Sequence, residues 1–325
     1  MSDPSSRPVG GSSPGGSNPG GSNKLLVVVV ALAVLAAIAV GAWFLFFAGE
    51  DAPEGVQVET GQAMVAGGAP DDLEAYLERT WAPNLPEGVT YRIEGNKLLD
   101  LNGTIEGSTI KVQEVEFLAL DTANEPPHFV DMRVKGLDLT FPQGAGALGT
   151  DRLQGDLVYS YEYDPDARTL KIPAIVFDFP ALATLNFSGD FTDMTITPGG
   201  GPESALTQVG EAKIDRLSLV FTDRAVIKWA IEQQAAQQGV DADALRTQAK
   251  LMLAALGSQM EGDIEKQAIE AAGTVLEKTE NVTIEITANP AEPFPFAKFM
   301  ALGMGAGGMP DLSTLEPLNL KIEAY

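Results

Sequence analysis

The sequence predicts an α+β fold: a large, mostly antiparallel β-sheet with a helical insert, preceded by one transmembrane helix. Three observations predict it. Residues 25–47 form an apolar run without a charge, and from Val89 to about Phe221 apolar residues recur at every second position. From Asp223 the period lengthens to that of a helix before alternation returns near the end. Alternation puts side chains on one face of a strand, whereas i, i+3, i+4 spacing puts them on one face of a helix. Runs of strands interrupted by a block of helices read as α+β.

Residues 1–24 repeat a pentad: Gly10-Gly11-Ser12-Ser13-Pro14, Gly15-Gly16-Ser17-Asn18-Pro19, Gly20-Gly21-Ser22-Asn23-Lys24. Such a composition buries too little apolar surface to order itself, so this is a disordered tail. The segment Leu25–Phe47 comes next. At about 1.5 Å per helical residue it crosses a hydrocarbon core of roughly 30 Å. A cleaved signal peptide fits it less well. Its apolar run exceeds the roughly 7–15 residues of such a segment, and bulky Phe46 and Phe47 stand where a small recognition residue belongs. Arg7 and Lys24 precede the span, and Glu50, Asp51, Glu54 and Glu59 follow it. The positive-inside rule therefore puts the tail in the cytoplasm and everything beyond residue 47 outside, with Trp43, Phe44, Phe46 and Phe47 at the outer interface. Residues 48–70, rich in Gly, Ala and acid, are a linker, and 71–325 form the domain.

Lys and Arg number 21 against 45 Asp and Glu, a net charge of −24. That surface repels nucleic acid and anionic headgroups; it bears on partners, not on fold. Cys is absent, which removes disulfides and thiolate chemistry. A domain of this length can rely on its hydrophobic core instead. The low-aromatic, Gly- and Ala-rich, His-poor composition suits a bacterial periplasmic domain, anchored in the inner membrane through Leu25–Phe47.

Within the domain, Asp71 is the expected cap of a short helix through Leu73, Tyr76, Leu77 and Trp81, ended by Pro83 and Pro86. Strands are expected over 89–94, 97–105, 109–120, 128–141, 153–163, 168–179, 183–196 and 212–222, which in sequence make an antiparallel meander. The clearest hairpin has Leu157, Tyr159, Tyr161 and Tyr163 on one face, a turn at Asp164-Pro165-Asp166-Ala167, and Leu170 and Ile172 returning. In the fourth strand the apolar set Val130, Met132, Val134 shifts to Leu137, Leu139, Phe141 across Gly136, as a bulge would require. The helical insert, 223–279, carries three stripes: Val226, Ile227, Ala230, Ile231 before Gly239; Leu245, Ala249, Met252, Leu253, Leu256 after the cap Asp241; and Ile264, Ala268, Ala271, Ala272, Val275, Leu276. Each stripe is expected to cover something. A strand at 281–288, a Pro-broken stretch with Phe294, Phe296, Phe299 and Met300, a Gly- and Met-rich loop at 303–309 and a last strand at 318–324 complete the chain.

Several motif matches lack the context that gives them chemistry. Gly144, Gly146 and Gly149 match G-x-G-x-x-G after a strand, but no helix follows whose N-terminus could hold a pyrophosphate. Gly303, Gly305 and Gly308 match it in the wrong order. Gly11-Ser12-Ser13-Pro14-Gly15 matches G-x-S-x-G inside the disordered tail. Ser108-Thr109-Ile110-Lys111 matches S-x-x-K at a strand start, where Ser and Lys point to opposite faces. His128 is the only histidine, so no multi-histidine zinc site can form. Beside Pro126 and Pro127 it reads as an exposed turn residue. The pairs Asp164/Asp166 and Asp241/Asp243 read as a turn and a helix cap, because neither continues into a calcium loop. Carboxylates are plentiful enough that counting alone leaves an acid–base pair or a carboxylate metal site open. Asn102, Asn186 and Asn281 each begin an N-x-S/T triplet, without meaning in a bacterial setting. Counting back by twos from Tyr325 gives Glu323, Lys321 and Asn319, out of phase with a lipid-facing barrel strand. No enzyme, cofactor or metal is expected.

The phrases Tyr161-Glu162-Tyr163-Asp164-Pro165 through Thr169-Leu170-Lys171-Ile172, and Leu217-Ser218-Leu219-Val220-Phe221-Thr222-Asp223, behind a short-tailed anchor, resemble the N-terminally anchored periplasmic proteins of proteobacteria, the YdgA-like and AsmA-like group. That resemblance implies envelope maintenance or lipid handling and carries over no catalytic residue. Two functional expectations follow. The first is a lipid or other apolar ligand held between sheet and helices by Tyr159, Tyr161, Tyr163, Phe294, Phe296, Phe299 and Met300, residues that would equally make an ordinary closed core. The second is a structural or assembly scaffold docking on other envelope proteins.

Overall fold

The computed structural model describes residues 70, 72–80, 88–105, 108–145, 150–196, 211–258, 260, 262–298 and 312–325. The tail, the span Leu25–Phe47 and the linker up to residue 69 lie outside them, as do Asp71 and Trp81. Among the described residues no helix is long and apolar enough to cross a membrane.

Helix α1 (Leu73–Thr80) opens the domain. Its cap oxygen belongs to Asp72, which accepts from the Ala75 N–H at 3.0 Å; in a run of two aspartates sequence cannot tell which one aligns with the first turn. Eight strands then follow in order: β1 (Thr90–Glu94), β2 (Lys97–Ile105), β3 (Ser108–Leu120), β4 (Phe129–Ala145), β5 (Thr150–Asp164), β6 (Thr169–Phe179), β7 (Ala183–Thr192) and β8 (Lys213–Asp223). Each pairs antiparallel with the next, so the meander expected from alternation is the sheet that forms. After β8 come α2 (Val226–Gln238), α3 (Ala242–Gly257) and α4 (Asp263–Lys278). Strand β9 (Thr283–Ala288) then pairs with β8, and β11 (Leu320–Ala324) pairs with β9 as the second edge of the sheet. A two-residue strand, β10 (Phe294–Pro295), pairs with the start of β8, and a 3-10 helix spans Leu312–Leu318.

Local chemistry sets the joints. Asp164 accepts from the N–H groups of Asp166 and Ala167 at 3.0 and 2.9 Å, closing the β5–β6 turn. In β4 the register shifts between Val134 and Leu137. Gly136 sits in that shift at φ 64°, and its N–H donates to Asp156 Oδ1 at 2.8 Å. The extra residue returns Leu137 and Leu139 to the face of Val134, as the alternation demanded. Gly239 ends α2 at φ 66° and Asp241 caps α3 through the Asp243 N–H, both as expected.

One face of the sheet is apolar from edge to edge. A row of directly opposed residues runs Phe117–Met132–Tyr159–Ile175–Phe187–Leu219–Ile286–Ile322 across eight strands. A second runs Leu98–Val115–Val134–Leu157–Phe177–Leu185–Phe221–Ile284–Ala324. The opposite face is polar, with cross-strand ladders such as Glu162–Lys171–Asp190–Arg216. Opposed unlike charges of this kind fix register at small energetic gain.

The lower end of the apolar face, toward the β3–β4 and β5–β6 turns, is closed. Leu73, Tyr76 and Leu77 of α1, Met194, Phe296, Leu315 and Leu318 join the strand residues there in one buried cluster. The helical insert covers a different place. Val226 of α2 and Val275 of α4 pack with Ala183, Phe221, Val282 and Ile284 at the upper end of β7–β9, while α4 lies along β11 and its Gln267 Oε1 accepts from the Ile322 N–H at 2.8 Å. Helix α3 packs on its two sister helices: its stripe Leu245, Ala249, Met252, Leu253 and Leu256 is half-buried, no side chain is fully buried, and Leu251, outside the stripe, is 69% exposed.

Candidate functional site

Five of the seven aromatic and methionine candidates are described, and all five are core residues. Tyr159, Tyr161, Tyr163, Phe294 and Phe296 are each less than 9% exposed. Phe299 and Met300 lie outside the described residues. Tyr159 and Tyr161 meet edge to face at 5.6 Å. Tyr163 and Phe294 share one cross-strand row, with Leu170, Phe191 and Ile214 between them, and Phe296 packs on Phe191 at 6.4 Å. The hydroxyls are built into this core. Tyr161 Oη donates to the Pro127 carbonyl at 2.7 Å, and Tyr163 Oη accepts from the Ile196 N–H at 3.2 Å. Burial pushes the Tyr159 and Tyr161 hydroxyls well above the ordinary phenol value, and that of Tyr76 in α1 to about 12. All three therefore keep their phenolic protons near neutral pH.

His128 is also less exposed than its neighbouring prolines suggest. Its side chain is 29% exposed, its backbone N–H donates to Asp121 Oδ2 at 2.9 Å, and its ring meets Tyr163 edge-on at 6.1 Å. Asp121 additionally accepts from the N–H groups of Ala123 and Asn124 and from Asn124 Nδ2. These bonds outweigh burial and hold its carboxyl below the usual range. The cluster folds the β3–β4 loop around a carboxylate and leaves that carboxylate no proton to exchange near neutral pH. Among the described residues no three His, Asp or Glu side chains gather closely enough to hold a metal ion.

Among the described residues the less covered part of the apolar face lies elsewhere, at the upper end of β2–β6. Leu101, Ile110, Leu137, Leu139, Leu153, Phe177 and Phe179 are all half-buried. Register makes them neighbours: Ile110 opposes Leu139, Leu139 opposes Leu153, and Leu137 opposes Gly155. Gly155 belongs to this patch because a Cβ there would meet the Asp178 carbonyl at 2.1 Å and the Phe179 ring at 2.8 Å. Phe177 and Phe179 stack at 6.4 Å. An open groove of about 280 Å³ at the top of β1–β3, lined by Gly88, Thr90, Asn102, Gly103, Thr104 and Thr109, lies apart from the patch, because Asn102, Thr104 and Thr109 take the face opposite Leu101 and Ile110. The patch offers an apolar floor that can take an apolar group. Alternation placed these residues on the apolar face, but nothing in the sequence marked them as the uncovered part of it.

No curated protein matches the chain. A family model described only as an uncharacterized protein matches residues 176–325, from the second half of β6 through the insert to β11.

Proposed function

We propose that this chain is a non-catalytic, membrane-anchored periplasmic module that holds an apolar ligand, an acyl-chain lipid, on the upper end of β2–β6. The observation that carries the reading is the exposure gradient along one continuous face. Phe117 and Met132 at its lower end are 1% exposed, whereas Ile110 and Leu139 on the same strands and face are half-buried. An apolar sheet face is normally covered along its whole length, and a contiguous stretch that the described residues leave half-buried supports a place where something else sits. The span Leu25–Phe47 would hold the domain within reach of a bilayer, in keeping with envelope maintenance.

A photoreactive fatty acid, crosslinked to the full chain and mapped by mass spectrometry, tests this. Label on residues 101–112 and 137–155, cut about tenfold by Leu139→Asp with thermal stability little changed, is the expected result. Label confined to 25–47, or spread evenly, would overturn it. A second reading, a scaffold docking on other envelope proteins, is supported by α3, whose sixteen residues bury no side chain fully. Label concentrated on 245–256 would favour that reading.

A further inference from the structure

Asp223 ends β8 on the apolar face, opposite Ala183 and two residues beyond Phe221. It is 0% exposed. Its backbone N–H donates to the Val282 carbonyl at 2.8 Å, which ties the chain entering the helical insert to the chain leaving it. Oδ1 accepts from the Ile227 N–H at 3.0 Å in the first turn of α2. Oδ2 is fully buried and, among the described residues, has no hydrogen-bond partner. An unsatisfied buried oxygen at the neck of an insert needs a physical reason, since leaving a carboxylate oxygen unpaired in an apolar setting is costly.

A carboxylate at a helix N-terminus ordinarily keeps its charge, favoured by the free N–H groups. Here burial opposes the charge more strongly than the Ile227 and Val226 N–H groups favour it, and the nearby Glu280 adds a like charge, so the carboxyl is held above the ordinary range. The cations at the neck are committed to other partners. Lys228 pairs with Glu280 at 2.7 Å, and Arg224 pairs with Asp178 at 2.9 Å.

We propose that Asp223 is a proton-dependent latch: neutral, it lets α2 and the Val282–Ile284 segment close on Ala183 and Phe221; ionised, it loosens the insert from the upper end of β7–β9. The proposal is independent of the ligand reading. The closed neck binds the proton more tightly than an open one, so closure is fully favoured below the ordinary aspartate value of about 3.9. As pH rises through the closed-state value closure weakens, by at most about tenfold per pH unit for a single proton, and then levels off.

Hydrogen exchange of the full chain between pH 4 and 8, corrected for intrinsic rates, reads this directly. Amides of 226–231 and 282–284 should lose protection as pH rises, by up to about tenfold per unit over the titration. Asp223→Asn, which mimics the neutral acid, should keep the acid-side protection throughout. Identical pH profiles for the two chains would overturn the latch. Should that variant fail to fold, a carbon-13 titration of labelled aspartates in a chain carrying Asp215→Asn decides, because burial also raises Asp215. One carboxyl titrating well above about 3.9 supports the latch, and none doing so overturns it.

Discussion

The two halves of the upper sheet face are built from the same alternation and end up covered to different degrees. On β7–β9, Ala183, Phe221 and Ile284 are buried under α2 and α4; on β2–β6, Leu101, Ile110, Leu139, Leu153 and Phe177 are half-buried. The cause is the length of the upper connections. Between β2 and β3, β4 and β5, and β6 and β7 the chain turns within a few residues, whereas between β8 and β9 it leaves at Asp223 and returns only at Thr283. A hairpin joins strands without supplying anything to lay across them, so cover must come from a long connection. The family match, 176–325, spans the half with the long connection.

The largest effects should separate closed from open face. Phe117→Ala should lower unfolding stability by about 3–5 kcal/mol, the usual range for removing a fully buried aromatic side chain. Leu139→Ala, on a neighbouring strand of the same face, should cost only about 1 kcal/mol, because part of its surface already meets water. Urea denaturation of the two variants measures the difference. Equal losses would mean that the upper end of β2–β6 is as closed as the lower, and the proposed ligand site would go with it.

Two glycines sharpen the same comparison at the level of backbone. Gly136 in β4 and Gly239 after α2 have φ of 64° and 66°, so a side chain at either is strained. They differ in surroundings. A Cβ at Gly136 would lie 2.3 Å from Gln113 Cδ, whereas one at Gly239 meets nothing within 4 Å. Gly239→Ala should therefore cost about 1 kcal/mol and Gly136→Ala about 1–3 kcal/mol. Matching denaturation midpoints would show that the Gln113 side chain swings aside freely and that backbone strain alone sets the bulge.

How much of this was legible follows from which forces are local. The strands, the hairpin at Asp164, the shift across Gly136 and the ends of α2 and α3 were readable, because alternation, turn chemistry and caps act within a few residues. The buried state of Tyr159, Tyr161 and Tyr163 was not separable from a ligand-facing one. Period two says which face a side chain takes and is silent on what lies over that face. Helix α3 shows the same limit: its stripe of Leu245, Met252, Leu253 and Leu256 predicted that it covers something, and could not say that α2 and α4 are what it packs on. Asp223 was invisible for the converse reason, since a carboxyl at a strand–helix junction reads as an exposed cap until the insert is seen to close over it.

The smallest effect concerns the two edges of the sheet. The described edge strand β1 carries Arg92, bonded to Glu94 and Asp100, charges that discourage pairing with another chain. The β11 edge is covered instead. Thr283 and Tyr325 exchange both backbone hydrogen bonds, so Ile322 points its N–H away from β9, where Gln267 of α4 accepts it. Gln267→Met keeps the bulk and removes the acceptor, at a cost of about 1 kcal/mol for a partly buried N–H left unpaired. Gln267→Glu keeps an acceptor. Exchange at the Ile322 amide should accelerate in the first variant and stay slow in the second. If the Met variant stays slow as well, packing under α4 protects this edge, and the side-chain bond is incidental to it.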